Sequence, residues 1–259
     1  MSTEPEMIIE ELLANLYDSQ SPYDSVDRSY VDDGYPHTNI VPELLRSLLF
    51  ESEPRFILEC GSMLGGSAVI MASLIKELNL NANVVCIDPF TGSVDMWFYE
   101  QPGSPKQCKE VRPGWKFLGL ENGVPTIYKR FLANVYDSGH SDVILPINCT
   151  TIVGVRLLDK LFRQGRISSL PDFIYLDSAH EPDETLSELR VCWSILNDGL
   201  LFGDDWNWAS VRNDVIDFAS ECEINGDRMN KMKSLLPGSK IVDGKILLSD
   251  GQWVLFKNQ

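Results

Sequence analysis

The chain has 259 residues, 44% of them hydrophobic and 23% charged, a size that buries enough surface to fold without a disulfide or a structural metal. Its 22 lysines and arginines stand against 38 aspartates and glutamates, a formal charge of −16, which repels phosphate backbones and argues against nucleic acid as a partner. No apolar run approaches the roughly 20 residues of a membrane-spanning helix, so the expected ligand is a small neutral or cationic molecule, or a metal ion.

The start of the chain, MSTEPEMIIEELL, lacks the basic residues and apolar stretch of a secretory signal. Nine acids and a single base, Arg28, fall in the first 33 residues and supply half of the net charge. Met7, Ile8, Leu12, Leu13 and Leu16 make one stripe of a helix over residues 6–17. Residues 1–35 read either as a solvated acidic extension or as a cover that folds over a ligand. The six cysteines (Cys60, Cys86, Cys108, Cys149, Cys192, Cys222) show no CxxC or CxxH spacing. They read as reduced structural thiols of a cytoplasmic protein without a zinc site.

Regular patterning fills the rest, residues 36–259, which read as one domain. A helix over 41–50, with Pro42 in its first turn, leads to a strand over 55–59 and the glycine-rich turn CGSMLGGS. A helix over 68–78 and a strand over 83–88 follow. Residues 89–124 are rich in Gly, Pro and aromatics and have no clear period, which predicts a lid or substrate loop. Then come a helix (125–136), a strand (142–147) weakened by Pro146, a helix (153–163) and a strand (172–177). A helix (183–196), a strand (200–203) and a helix (211–222) complete the alternation. The tail holds two or three strands, with 245–248 facing 253–257 across Ser249-Asp250-Gly251. The expected fold is α/β, a mostly parallel sheet covered on both faces, with an antiparallel hairpin at its C-terminal edge.

In such a sheet, ligands bind beyond the carboxyl ends of the strands, near the switch in strand order. The residues placed there are Glu59 with the glycine turn, Asp88, Asn148-Cys149-Thr150-Thr151, Asp177 with His180, and Asp204-Asp205. All strands of the parallel set but one deliver an acid to this rim. The turn Glu59-x-Gly61-x-x-x-Gly65-Gly66-Ser67 lets main chain approach a ligand and opens a helix with free N–H groups. It is neither GxGxxG nor a P-loop, and no lysine follows it. With Asp88 placed to accept from ribose hydroxyls, it points to a nucleoside cofactor; a tight strand–helix turn with a capping acid is the plainer alternative.

These segments, ECGSMLGGS with IDPF, DFIYLDSAHE, and ILNDGLLFGDDW, resemble the class I S-adenosylmethionine-dependent methyltransferases over residues 36–222. Within that class they are most similar to the metal-dependent sugar O-methyltransferases of macrolide biosynthesis and to cephamycin-type methyltransferase subunits. The resemblance implies a Rossmann-like, doubly wound sheet. It also implies magnesium or manganese on Asp177, Asp204 and Asp205, with His180 as base and Asp177 sharing in catalysis. Expected cofactor contacts are Glu59, Gly61, Ser62, Gly65, Ser67, Asp88 and Thr150.

The residues support the same assignment on physical grounds. Three carboxylates converging at one rim repel, and a hard divalent cation with oxygen ligands relieves that repulsion. Asp204-Asp205 as a simple cap of the following helix is the alternative. His37 and His140 lie in irregular segments and receive no role. Trp97, Trp115 and Trp206 could wall a substrate pocket or serve local packing.

The expected activity is methyl transfer to a hydroxyl of a small polyhydroxylated acceptor, a sugar or glycoside, with a catechol-type phenol as the second choice. A nicotinamide oxidoreductase is disfavoured by the missing GxGxxG. A methyltransferase-fold binding subunit without activity is disfavoured by the intact acids and histidine. Association into a homo-oligomer stays open.

Overall fold

In a computed structural model, residues 8–32, 38–97 and 117–258 are described. The first seven residues, His37, Cys108, Trp115 and most of the expected 89–124 loop lie outside them. Eight strands form one sheet: β1 (Phe56–Cys60), β2 (Asn83–Asp88), β3 (Ile144–Asn148), β4 (Phe173–Leu176), β5 (Leu200–Gly203), β6 (Lys240–Val242), β7 (Ile246–Ser249) and β8 (Gln252–Phe256). Their order is β3-β2-β1-β4-β5-β8-β7-β6. The first five pair in parallel, and β8 turns antiparallel on β5. The Rossmann-like, doubly wound sheet with a C-terminal hairpin is thus present. Asp250 and Gly251 both take positive φ in its turn, as a two-residue hairpin loop requires.

Side chains alternate across the central strands with period two. Ile57, Val84, Cys86, Phe173, Tyr175 and Phe202 face one core. The helices α2 (Pro42–Ser52), α3 (Gly66–Glu77), α5 (Ile127–Asp137) and α9 (Gly226–Leu235) cover it. Leu58, Val85, Ile87, Ile174 and Leu201 face the other. There α1 (Ile8–Leu16), α6 (Thr151–Arg163), α7 (Glu184–Ile195) and α8 (Ala209–Glu221) pack. Strand order reverses between β1 and β4, so the crevice that binds ligands in such sheets opens at Gly61 and Asp177.

Two sequence expectations change. The reading of the N-terminus as a solvated extension does not hold for α1, since Ile8, Ile9 and Leu12 are buried against the sheet. Its acids point outward while its aliphatic stripe binds the core, which net charge cannot reveal. The chain then rounds the β3 edge: the Tyr17 hydroxyl donates to the Pro146 carbonyl, and Tyr23 is buried in the opposite core. Pro146 is tolerated because β3 is an edge strand. The 89–124 segment also has order at both ends, in a short helix, α4 (Val94–Trp97), and a bridge between Glu121 and Val124.

Candidate active site

The first half of the rim is built from β1 and β2. Gly61 has a φ of +88°, and a Cβ there would lie 2.0 Å from the Asp177 carbonyl oxygen. Only glycine lets the tips of β1 and β4 come so close. Asp88 closes the turn: its carboxylate accepts from the N–H groups of Ser62 and Met63, both at 2.8 Å, and from that of Phe90. Burial raises the Asp88 carboxyl, with those three amides opposing the rise. A carboxylate has about four acceptor positions, so main chain occupies most of those expected for a ribose.

Glu59 is fully buried beneath the turn. It accepts from the Ser67 hydroxyl and from the Cys86 thiol at 3.2 Å. Burial pushes it up to about 7. Its partners make it an internal tie between β1, β2 and α3. Gly65, at φ +88°, is the N-cap of α3, packed under Phe131. Ser62 is buried, whereas Thr150 is exposed at the N-cap of α6 and makes no side-chain capping bond.

The second half is built from β4 and β5. Asp177, His180 and Asp205 each offer a ligand atom within 4.8 Å of the others. His180 Nε2 lies 2.7 Å from Asp205 Oδ2 and 3.8 Å from Asp177 Oδ1. Nε2 is buried, and neither contact has the geometry of a hydrogen bond. Burial pulls His180 down, but the two carboxylates outweigh it and hold the imidazole up at about 10. The chain alone therefore keeps an imidazolium between the two acids.

Asp204 falls outside this close group. Its Oδ1 accepts from the Asp205 N–H at 2.8 Å, while Oδ2 is buried without a partner. Burial first, and the Asp177 charge second, raise it to about 6. A buried carboxylate oxygen with no donor costs roughly 1–3 kcal/mol. Such an oxygen, within electrostatic reach of two further acids and an imidazole, fits a hard divalent cation.

The C-terminal hairpin fixes this turn. Trp253 Nε1 donates to the Asp204 carbonyl at 2.9 Å, and Trp206 N–H donates to the Gly251 carbonyl at 3.2 Å. Gly203 has no room for a Cβ beneath the Trp253 ring. Asp205 itself takes a φ of 58°, a left-handed conformation that Asp tolerates better than most residues.

Two neighbours escaped the sequence reading. Tyr175 donates its hydroxyl to Asp177 Oδ2 at 3.0 Å; it stands two residues before Asp177, and strand alternation could have placed both on one face. Trp208, 44% exposed, packs its ring 4.8 Å from the His180 ring. Nothing in its spacing marks it, because the Asp205 turn brings it there. Trp206 is buried in core packing, and Trp97 is exposed and bonded to the Thr91 carbonyl. His140 lies away from the acids, beside Ser73. A cleft of about 450 Å³ lies at the opposite, amino ends of β1 and β2, lined among others by Arg55, Phe56 and Asn83.

Among the described residues no helix is long and apolar enough to cross a membrane. The chain is similar in structure to an O-methyltransferase from Bacillus cereus in complex with SAH: 12% identity, 99% of this chain and 93% of that chain covered, TM-score 0.47. It is also similar to the O-methyltransferase TomG from Streptomyces achromogenes, involved in tomaymycin synthesis and in complex with SAM: 12% identity, 99% and 92% covered, TM-score 0.45. No curated protein matches it in sequence. Residues 58–206, from the middle of β1 to the turn after β5, match the methyltransferase domain family. That span is more than half of the chain and holds the glycine turn, Asp88, Asp177, His180, Asp204 and Asp205, and the chain belongs to this family.

Proposed function

We propose that the chain is an S-adenosylmethionine-dependent O-methyltransferase that works with a divalent cation on a small acceptor bearing neighbouring oxygens. One observation carries the reading: Asp177, His180 and Asp205 converge, Asp204 next in the chain feels their charges and keeps a buried oxygen without a partner, and the Asp177 main chain abuts Gly61 of the glycine turn. A ligand seated on that turn is therefore next to the acids.

S-Adenosylmethionine, when bound, supplies a methyl group activated by its sulfonium. Magnesium or manganese, held by Asp177, Asp204 and Asp205, would lower the pKa of an acceptor hydroxyl. The chain's own work is then positional and acid–base. The turn at 61–67 and Asp88 fix the cofactor end; Glu59 sets the turn from below. Asp177, oriented by the Tyr175 hydroxyl, and Asp205 draw the acceptor's oxygens to the rim. His180 takes the hydroxyl proton as the oxygen–methyl bond forms and the sulfur–methyl bond breaks, leaving a neutral thioether. It must be neutral to do so, which requires that Asp177 and Asp205 spend their charge on something other than the imidazole. Alignment of the reacting atoms supplies much of the remaining rate.

Trp208 offers a flat apolar wall beside His180, suited to the C–H face of a sugar ring. A polyhydroxylated acceptor such as a glycoside is the leading choice; catechol-type phenols share the vicinal oxygen pair. The described cysteines are free, in keeping with a cytoplasmic setting, and the charge of −16 disfavours nucleic acid. The test is transfer of labelled methyl from S-adenosylmethionine to a panel of glycosides and catechols, with magnesium or with EDTA. Transfer that EDTA abolishes, with S-adenosylhomocysteine still bound, is expected. Full turnover in EDTA removes the cation from the account, and no transfer to any member of the panel favours the binding-subunit alternative.

A further inference from the structure

We infer that the N-terminal strap, residues 17–32, is a working part of the cofactor end of the site, tied to the glycine turn through Asn134, so that ligand binding at the turn and order in the strap reinforce each other. The inference rests on the proposed reading that the turn binds S-adenosylmethionine.

The strap rounds the sheet edge and ends on α5. Asn134, 2% exposed, donates through Nδ2 to the Leu64 carbonyl at 3.0 Å and accepts through Oδ1 from the Asp32 N–H at 3.0 Å. Leu64 lies inside the glycine turn, directly before the Gly65 that caps α3. The amide's orientation is fixed by its partners, since a carbonyl can only accept and an N–H can only donate. One buried side chain therefore joins two main-chain segments.

A second link reinforces the first. The Asp32 carboxylate pairs with Arg130, one turn before Asn134 on α5, and both side chains are largely buried. Arg130 also donates to the Phe117 carbonyl. Further out, the Tyr30 hydroxyl donates to Glu121 at 2.8 Å, and Lys129 bonds both. The end of the strap is thus clamped to α5 at Lys129, Arg130 and Asn134, with the glycine turn on the other side of the same clamp. A shift of the turn on ligand binding is felt by the strap, and by linkage an ordered strap favours the bound turn.

The experiment uses the full chain and S-adenosylhomocysteine as probe. Hydrogen exchange of the peptide covering 18–32 is measured with and without saturating probe, and probe affinity is measured by calorimetry. The expectation is slower exchange in the strap when the probe binds. Asn134→Asp keeps the acceptor but loses the donor to Leu64; it should weaken probe binding about tenfold or more, the order of one buried hydrogen bond, and abolish the slowing. Asn15→Ala breaks bonds to the Glu11 and Arg166 carbonyls, in the same N-terminal segment but away from the turn, and should change affinity by less than about twofold. Unaltered strap exchange in the wild-type chain overturns the inference even where the Asn134 variant does not fold. Equal weakening by both variants also overturns it, as general loosening. A wild-type chain that binds no probe instead removes the cofactor reading, and this inference with it.

Discussion

Both halves of the rim carry carboxylates at their strand tips and treat them in opposite ways. On the β1–β2 side, Glu59 and Asp88 are buried and bonded to groups of the chain itself: a hydroxyl, a thiol and three main-chain amides. On the β4–β5 side, Asp204 Oδ2 has no partner and His180 Nε2 is aligned to none, while Asp177 and Asp205 share one imidazole. Acids of the first kind hold the turn in shape. Acids of the second kind are left with charge and lone pairs to offer a ligand. An acid at a strand tip is thus read by what already satisfies it.

The largest difference between the halves is expected in turnover. Asp204→Asn should lower kcat by about a thousandfold or more, the scale of losing a cation's stabilisation of developing charge, while S-adenosylhomocysteine affinity stays within about threefold. Loss of probe binding on the same scale as turnover would erase the distinction between the halves. His180→Ala should follow with a fall of about 10²–10⁴ in kcat, the range for general-base catalysis, again with little effect on the probe.

The internal half is expected to reveal itself in stability instead. Glu59 rises from 4.5 in the unfolded chain to about 7 in the fold because burial disfavours its charge. The folded state therefore holds the proton more tightly. Glu59 costs no stability below about pH 4.5, and the fold loses stability as pH rises through the window from 4.5 to 7. Glu59→Gln removes that ionisation. Compared with the wild-type chain, it should gain on the order of 3 kcal/mol between pH 4.5 and pH 8, read by denaturant unfolding at each pH. Parallel pH profiles for the two chains would place Glu59 in contact with solvent or ligand after all.

Much of this was legible in the sequence, and the reasons are local. The strands β2 and β5 read to their end residues because turn signals bound them on both sides. The hairpin turn read from Asp250-Gly251, whose positive φ values few residues accept. Helix α9 was missed because it buries only Met229 and Met232 of a polar run, too narrow a stripe to stand out. The burial of α1 was hidden by its own acids. The division between structural and open acids could not be read, because the partners of Asp88 are main-chain amides that every residue carries. Nor could the His180–Trp208 contact, since it depends on one left-handed residue, Asp205.

Whether Asp177, Asp204 and Asp205 hold a divalent cation is decided by counting manganese on the metal-stripped chain by electron paramagnetic resonance. One manganese per chain is expected, displaced by magnesium and lost in Asp177→Asn and Asp205→Asn while the Asp88→Asn chain retains it. A wild-type chain that takes up no manganese, with or without S-adenosylhomocysteine, would mean that His180 is the only cation these acids ever meet.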